Sequence, residues 1–516
     1  MLFNSYFFIY VFLPVVLIVF FRFNNHLSKY WLIAASVFFY AYGNISYVCL
    51  FICSIVFNYS FSCLLLFIKR HNRSPFIRQL TLVCGISSNL LVLGYFKYTN
   101  FIINNINYAF HTMYQCQSIV LPLAISFYTF QQIAYLIDMS KAPDRPQSFN
   151  QYCLFVSFFP QLIAGPIVRY HDTFHQFSKE QFTMFNSFNV SVGMTLFIIG
   201  LFKKVVLADS IGIYTTQIFE AAKTAKTIFF IESWCAALGY SFQLYFDFSG
   251  YSDMAIGLGR MFNIILPLNF YSPYRSLCMI DFWKRWHISL SLFFRDYLYI
   301  PMGGNRKGLF RKNVHLMITM LFVGLWHGAG WTFVIWGGLH GLYLIINHVW
   351  RFISNHYITS KWFKITSFNR FLSFTTTFCA IITAWVIFRS DTIAVAQKIL
   401  SGMFAFNGMN LSPGFLFNLS MNYVSKMSIF LQSAVPHTNK MIFFWIALLS
   451  FIIWLCPNTY EFLRQYHPSL HIESIDIKNQ RLQWQPTFFW AFILSTMLLI
   501  CIMLISSPTE FLYFNF

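Results

Sequence analysis

Charged residues are scarce in this chain, and acidic residues are the scarcer kind. Only 10% of the 516 residues are charged, with 16 Asp and Glu against 35 Lys and Arg, whereas 57% are hydrophobic. Because a soluble domain carries about a quarter charged residues, this composition excludes an ordinary soluble protein and predicts a polytopic membrane protein. Most Lys and Arg lie in short gaps between apolar runs, which indicates the positive-inside bias and not a nucleic-acid partner.

The sequence has no cysteine pair and no metal motif, and we expect no cleavable signal. The 11 cysteines are scattered singly, with no CxxC pair, which is typical of buried free thiols. The apolar stretch 5–21 has no basic region before it and no small-residue cleavage site after it, so we interpret it as the first span. Because no set of His, Asp and Glu has ligand spacing, we expect no metal.

Apolar segments predict an all-α fold with about eleven to thirteen membrane spans. Basic residues follow the first, third and fifth spans, so odd-numbered spans are expected to end in the cytoplasm, with the N-terminus outside. The polar gaps are too short for a separate catalytic domain, so we expect one membrane domain over residues 1–516. The candidate spans are 5–21, 31–50, 51–68, 79–96, 119–137, 152–168, 188–208, 228–248, 314–346 as a broken run or a pair, 371–388, 441–456 and 487–506.

A long apolar run with a histidine inside it is the central feature of the sequence. No Asp, Glu, Lys or Arg occurs from Leu316 to Ile346, and one helix of that length, at about 1.5 Å per residue, would exceed the roughly 30 Å hydrocarbon core. We expect a break at Gly328-Ala329-Gly330, directly after His327. An imidazole inside a membrane is a functional candidate, and it can remove a proton from a hydroxyl that attacks a carbonyl. From the residues alone, helix–helix hydrogen bonding stays equally open, and His340 on a Gly-rich face is a weaker candidate.

A charged, aromatic-rich segment precedes this run. Residues 281–298 have helical spacing and predict an amphipathic helix at the cytoplasmic interface, with His287 beside its apolar stripe. Pro301 is expected to end the helix, and Gly303-Gly304-Asn305 to form a turn. Backbone N–H groups of this turn and four nearby cations suit the phosphates of a nucleotide-bearing donor such as coenzyme A. Contact with lipid headgroups is the open alternative for these cations, which are Arg306, Lys307, Arg311 and Lys312.

Helix-breaking and polar residues interrupt several other predicted spans. Gln131-Gln132 lies within the fifth, Gly165-Pro166 ends the sixth, and Asp247 and Asp253 flank a glycine at the end of the eighth. Such breaks are tolerated in a membrane where other helices or a wet cavity satisfy the freed backbone groups. Several breaks in one chain predict a shared interior cavity, and simple kinks in packed helices are the alternative.

Nine motifs occur in one order along nearly the whole chain: Gln131-Gln132, Phe159-Pro160-Gln161, Ala164-Gly165-Pro166, Tyr245 to Asp253, Arg285 to Ser291, Arg295 to Ile300, Gly303 to Arg306, Leu325 to Ala329, and Phe511 to Phe516. Together they resemble the membrane-bound O-acyltransferase family, and most closely its bacterial alginate O-acetylation branch. The resemblance implies a helical membrane body with interfacial or re-entrant helices around a funnel or tunnel, with its core motifs within 119–346. By their motifs, His327 corresponds to the family's essential histidine and His287 to a second site residue.

The resemblance also implies a reaction. We expect transfer of an acetyl group from cytoplasmic acetyl-CoA to hydroxyls of an extracytoplasmic glycan, either an alginate-like exopolysaccharide or peptidoglycan, in a bacterial inner membrane. No cofactor is expected to stay bound. Transfer is direct or passes through a serine of a periplasmic or surface-exposed acetyltransferase partner resembling an SGNH hydrolase. The expected donor- or substrate-binding residues are Arg285, Asn305, Arg306, Lys307, Trp326, Asp253 and Gln132.

Three other functions stay open at this point. One is a family member that acylates a protein or a lipid with a longer chain. Another is a transporter or flippase that moves an acetylated carrier without chemistry. The third is a scaffold that only recruits a periplasmic acetyltransferase.

Overall fold

Helices account for the regular structure of this protein. The structure, a computed structural model, describes residues 1–141, 148–163, 165–224, 227–306, 308–357, 367–409, 440–470, 472, 482–505 and 512. Within these ranges there is no β-strand, only an isolated bridge between Pro267 and Leu470, which confirms the all-α prediction. Lys307, Ala164 and all of the C-terminal motif except Leu512 lie outside the described residues.

Most helices overlap the predicted apolar segments, but the sixth segment, 152–168, is divided into two short helices that end at Leu162, and the eighth, 228–248, continues without a break to Met261. The run 314–346 is a pair, as expected, with its break at 328–330. The α-helices are Leu13–Arg22, Asn25–Ala41, Val48–Arg70, Pro75–Phe110, Ile125–Lys141, Phe149–Ser157, Phe159–Leu162, Tyr170–Phe177, Ser187–Phe202, Asp209–Thr224, Phe230–Met261, Met279–Trp283, Ile288–Phe294, Gly308–His327, Trp331–Tyr357, Ser367–Arg389, Ile393–Met403, Met441–Leu455, Thr459–Phe462 and Phe488–Leu504.

Several of these helices are suited to a membrane by length and composition. Among the described residues, five are long and apolar enough to cross it, and four shorter apolar helices accompany them. This supports a multi-pass membrane protein. The predicted number of spans, eleven to thirteen, is larger because it includes apolar segments that form shorter or more polar helices in the structure. The five long helices are Ile45–Arg70, Pro75–Phe110, Ser187–Thr224, Trp331–Ser354 and Phe368–Arg389.

The chain folds into two compact units. One comprises Met1–Phe197, Met254–Leu268 and Gln465–Asp476, and the other comprises Ile198–Asp253, Asn269–Arg464 and Ile477–Phe516. Of the residues predicted for the site and described by the structure, only Gln132 belongs to the first unit. The expectation of one membrane domain over the whole chain stays a prediction.

Close contact between two helix backbones fixes the helix pair of the second unit. A Cβ atom built on Gly337 would lie 2.4 Å from the Met320 carbonyl oxygen, and one built on Gly324 would lie 2.3 Å from the Phe333 carbonyl oxygen. Real Cβ atoms do not approach that closely, so glycine is required at both positions. The helices Gly308–His327 and Trp331–Tyr357 therefore cross backbone to backbone, as small-xxx-small packing does in membranes.

Gly337 and its neighbour Gly338 provide a matched test of this crossing. Gly337→Ala is expected to lower the free energy of unfolding by about 1–3 kcal/mol relative to Gly338→Ala, because only the first overpacks the crossing. At Gly338 the nearest atom to an added Cβ is a flexible leucine methyl of Leu321, at 3.5 Å. Since both changes gain the same helix propensity, that contribution cancels. Equal unfolding midpoints in detergent would contradict the required close approach.

The segment 281–298 is not the single amphipathic helix that its periodicity predicts. A helix ends at Trp283, a turn follows, and a second helix begins at Ile288. The reason is distant in the sequence, because the Tyr271 N–H donates to the Arg285 carbonyl and the Ile288 N–H donates to the Asn269 carbonyl, each at 2.9 Å. These bonds use backbone groups that a continuous helix would have paired internally. The predicted apolar stripe is buried within the protein at Phe282, Trp286, Leu290 and Phe293.

Candidate active site

His287 occupies the turn that interrupts this segment. Its backbone has φ of 43° and ψ of 54°, in the left-handed region. This conformation costs a residue other than glycine about 1–2 kcal/mol. Such backbone strain persists only where contacts with the surrounding structure enforce the conformation. The backbone bonds to Asn269 and Tyr271 on either side of the turn supply that constraint, so the imidazole is held in one place.

Asn269 also fixes the orientation of the His287 ring. The Asn269 Oδ1 atom lies 3.1 Å from His287 Nδ1 and accepts from the Ser289 hydroxyl at 2.9 Å, while Asn269 Nδ2 donates to the Ser252 hydroxyl at 3.0 Å. Because an amide oxygen only accepts, Nδ1 carries the hydrogen, and the neutral ring has its lone pair at Nε2. Burial lowers the pKa of His287 to about 3, so the imidazole is neutral at physiological pH.

His327 is the last residue of its helix and is buried, with 4% of its surface exposed. Its ring contacts Trp336 edge to face at 5.0 Å between centroids and Phe388 at 5.2 Å. The glycine crossing described above brings Trp336 to it, because Trp336 adjoins Gly337. The imidazole therefore lies among aromatic faces, where exclusion of water strengthens electrostatic interactions.

Trp326 joins the two histidines. Its ring lies 5.1 Å from that of His327 and 6.2 Å from that of His287, centroid to centroid. The Phe248 ring also contacts the His287 ring, nearly perpendicular to it, with 4.7 Å between the ring centroids. The structure thus brings together three of the predicted site residues in one buried cluster: His287, Trp326 and His327.

Arg285 belongs to the same turn but is directed into an ion pair. Its Nε atom donates to Asp281 Oδ1 at 2.9 Å, and its guanidinium lies 5.7 Å from the Tyr271 ring centroid. About 30% of each charged side chain of this pair is exposed, so the pair adds little free energy. The side chain braces the turn beside His287, and donor binding by Arg285 stays a prediction.

The predicted phosphate turn forms, but it uses its own N–H groups. The N–H groups of Gly303, Gly304 and Arg306 donate to the backbone carbonyls of Ile300, Tyr299 and Gly303, respectively, each at 3.0 Å. The Asn305 Oδ1 atom accepts from the Tyr299 hydroxyl at 2.6 Å. The expectation of free backbone N–H groups is therefore wrong for these three residues. What the turn exposes is the side chain of Arg306, with Arg311 nearby in sequence.

Asp253 lies in a buried polar cluster of the second unit. Its Oδ2 atom lies 2.7 Å from the Lys203 ammonium and accepts from the Thr459 hydroxyl at 2.7 Å. The preceding residue, Ser252, accepts the bond from Asn269 described above. Asp253 therefore anchors the helix that carries Ser252, and a direct role in binding substrate stays a prediction.

Gln132 is part of a polar network in the first unit. Its Oε1 atom accepts from the Ser54 hydroxyl at 2.7 Å and from Asn58, and Asn58 exchanges two hydrogen bonds with Asn89. The network connects three helices, as interhelical amide bonds do in membranes. This geometry explains the glutamine structurally, and substrate binding by it stays a prediction.

His340 has the aromatic surroundings of a packed residue. Its ring lies 4.6 Å from that of Trp336 and 5.2 Å from that of Trp283. The neighbouring Gly341 would place a Cβ atom 2.8 Å from the Met317 sulfur. Close helix packing, the reason for which His340 was the weaker candidate, therefore accounts for the glycines of this face.

Sequence reasoning missed Asn269 and Ser289. Asn269 is a single amide between apolar residues and belongs to no motif. Ser289 lies two residues after His287 in the Arg285 to Ser291 motif, and this position was the one available signal for it. Among the described residues no group of three His, Cys, Asp or Glu could hold a metal ion.

Comparison with known proteins gives several similarities. A model of the MBOAT, membrane-bound O-acyltransferase family matches residues 139–383. A peptidoglycan O-acetyltransferase of Helicobacter pylori is 39% identical over 549 residues, covering 100% of this chain and 98% of that protein. A probable alginate O-acetylase AlgI of Pseudomonas aeruginosa is 38% identical over 418 residues, covering 80% and 76%. A teichoic acid D-alanyltransferase of Bacillus subtilis is 27% identical over 270 residues, covering 50% and 65%.

Proposed function

Because the chain belongs to the membrane-bound O-acyltransferase family and is therefore an acyltransferase, we propose that it moves an acetyl group from acetyl-CoA to a glycan hydroxyl. The donor is cytoplasmic and the acceptor lies outside a bacterial inner membrane, with the N-terminus outside. Peptidoglycan is the first candidate acceptor, since the similarity to the Helicobacter pylori protein extends over both full lengths. An alginate-like polysaccharide is the second, since similarity to the AlgI proteins covers 80% of this chain.

The observation that carries this proposal is the buried cluster of His287, Trp326 and His327. His327 takes the proton from the acceptor hydroxyl as the hydroxyl oxygen attacks the thioester carbonyl. The carbon–sulfur bond then breaks, an ester forms, and the proton passes from His327 to the departing CoA thiolate. Such proton transfer contributes about 10²–10⁴ to the rate. The acceptor oxygen belongs to the glycan or to a serine of an SGNH-hydrolase-like partner outside the membrane.

His287 serves a second role in this proposal. Its Nδ1–H is committed to Asn269, so the ring can only accept a hydrogen bond at Nε2 while neutral. His287 orients the acceptor hydroxyl or the ring of His327. The constrained turn fixes the position of the His287 ring before the substrate binds. Preorganisation of this kind lowers the barrier because no reorientation is needed during the reaction.

The donor phosphates are bound by side chains. Because the N–H groups of Gly303, Gly304 and Arg306 already donate to backbone carbonyls, the charge for the phosphates comes from the side chains of Arg306 and Arg311. Three phosphate groups of coenzyme A attract exposed cations even where each contact is weak. Lys307, outside the described residues, would add to this charge.

Donor length separates this proposal from acylation with a long chain. Purified protein is supplied with acetyl-CoA or palmitoyl-CoA, and CoA release and ester formation are measured together. Acetyl-CoA is expected to react at least tenfold faster, and Arg306→Glu to raise the KM for it. Arg73→Glu, an equal charge change at another exposed basic residue, is the control. Preference for palmitoyl-CoA would refute acetyl transfer, and CoA release by neither donor would support the transporter or scaffold.

A further inference from the structure

An apolar cavity of 450 Å³ lies in the second unit, and none of His287, Trp326 or His327 lines it. This volume falls within the range of about 300–1,000 Å³ that small-molecule sites occupy. An acetyl group does not require a separate cavity of this size. Its apolar wall includes Phe246, Ile452, Ile453, Ile493, Leu494 and Met497.

One end of the cavity is polar. Lys203, Ser272, Asn458 and Thr459 line it there. The Lys203 ammonium donates to Asp253 Oδ2 and to the Thr459 hydroxyl, each at 2.7 Å. An ammonium has three protons, and these two bonds leave one for a ligand acceptor. Because Asp253 balances the charge of Lys203, this end suits a polar oxygen and not a polyanion such as coenzyme A.

Two of the helices that line the cavity have the composition of helices that contact the membrane interior. The helices Met441–Leu455 and Phe488–Leu504 both contribute to it and contain no charged residue. Their other faces expose large apolar side chains, among them Phe451 and Leu455 on the first and Phe492 and Leu499 on the second. In a multi-pass membrane protein such faces contact hydrocarbon. A ligand with an apolar chain can therefore enter from the bilayer.

From these observations we propose that the cavity binds one acyl chain of a membrane phospholipid, whose ester carbonyl oxygen accepts a hydrogen bond from Lys203. The apolar wall of the cavity suits the hydrocarbon of the acyl chain. The Lys203–Asp253 ion pair, which has no net charge, suits the uncharged ester group of the lipid. Asp253 follows Ser252, which is bonded to Asn269 and through it to His287. The lipid therefore supports the helix segment that positions His287. This site does not depend on which acyl group the enzyme transfers.

Photocrosslinking of the full-length protein tests this site. A phosphatidylethanolamine with a diazirine on one acyl chain is incorporated into proteoliposomes and irradiated. Labelled peptides are then mapped by mass spectrometry. The expected labels fall within residues 452–459 and 490–497, and Met497→Trp, which fills the cavity, reduces them at least fivefold. Leu499→Trp is the matched control, because Leu499 is exposed on the same helix and does not line the cavity.

The other outcomes overturn the proposal in distinguishable ways. Equal labelling of residues 452–459 and 490–497 in Met497→Trp and Leu499→Trp, or no label in these residues of the unmodified protein, would show that the cavity holds no phospholipid chain. Labelling by a diazirine palmitoyl-CoA in preference to the phospholipid would make the cavity a donor-chain site instead. The donor-length assay described above decides acetyl transfer separately. If Met497→Trp does not fold, Ile453→Trp fills the cavity from the other helix and is compared with Leu499→Trp in the same way.

Discussion

Replacing His327 with alanine is expected to lower the kcat of acetyl transfer by a factor of about 10²–10⁴. The imidazole is the proposed base, and the three aromatic side chains whose rings contact it, Trp326, Trp336 and Phe388, have no group that takes up a proton at neutral pH. A purified variant is compared with wild type for acetyl-CoA turnover at saturating donor. The unfolding midpoint is measured on the same preparations, because truncation inside an aromatic cluster also removes packing.

His315→Ala is the matched control for this variant. His315 lies near the start of the same helix, Gly308–His327, and is not part of the aromatic cluster. Its variant should keep a kcat within about twofold of wild type, as substitutions away from a site usually do. Retained turnover in His327→Ala, with the protein folded and the donor consumed, would remove the proposed base. A loss of turnover that only follows a loss of folding would assign His327 to packing.

The second large effect is on stability. Lys204→Met is expected to lower the free energy of unfolding by about 3–5 kcal/mol, because it strands a buried carboxylate. The Lys204 ammonium lies 2.7 Å from Asp247 Oδ1 and 2.7 Å from Asp209 Oδ1, and both Lys204 and Asp247 side chains are at least 97% buried. The Leu512 N–H also donates to Asp247, at 3.1 Å. Denaturant titration of the detergent-purified protein measures the loss.

Two further variants separate stranding of a charge from loss of an ion pair. Adding Asp247→Asn to Lys204→Met removes the stranded charge and should recover more than half of the loss. Lys223→Met breaks contacts with Glu220 and Asp391 at 2.8 and 2.6 Å, but these partner side chains are 41% and 52% exposed. It should therefore cost at most about 1 kcal/mol. Equal losses for Lys204→Met and Lys223→Met would contradict this explanation.

Membrane thickness and glycine made the central helix pair predictable from sequence. An uncharged run that is too long for one span needs a break. Gly328-Ala329-Gly330 was the predicted position because glycine leaves the helical conformation with the least steric strain. His327 was identified by the same reasoning, since an ionisable side chain inside a membrane span is energetically unfavourable and is therefore a candidate for function. The structure adds that Gly324 and Gly337 fix the crossing that brings Trp336 against it.

Long-range hydrogen bonds were not predictable in this way. The periodicity of 281–298 is genuinely helical, yet Asn269 and Tyr271 bond to the backbone within it and open the turn at His287. The 303–306 turn was predicted, but whether its N–H groups face a ligand or its own carbonyls depends on φ and ψ values that residue types do not specify. Asn269 was missed for the same reason, since its role arises only from contact with distant residues.

Sided transfer in sealed proteoliposomes tests the central proposal most directly. Radiolabelled acetyl-CoA is supplied on one face and peptidoglycan fragments, with or without a soluble acetyltransferase partner, on the other. The predicted result is labelled acetyl ester on the acceptor side, formed by wild type and absent with His327→Ala. Labelled ester formed equally by the His327→Ala protein, or formed only when donor and acceptor share one face, would contradict acyl transfer through this buried histidine cluster.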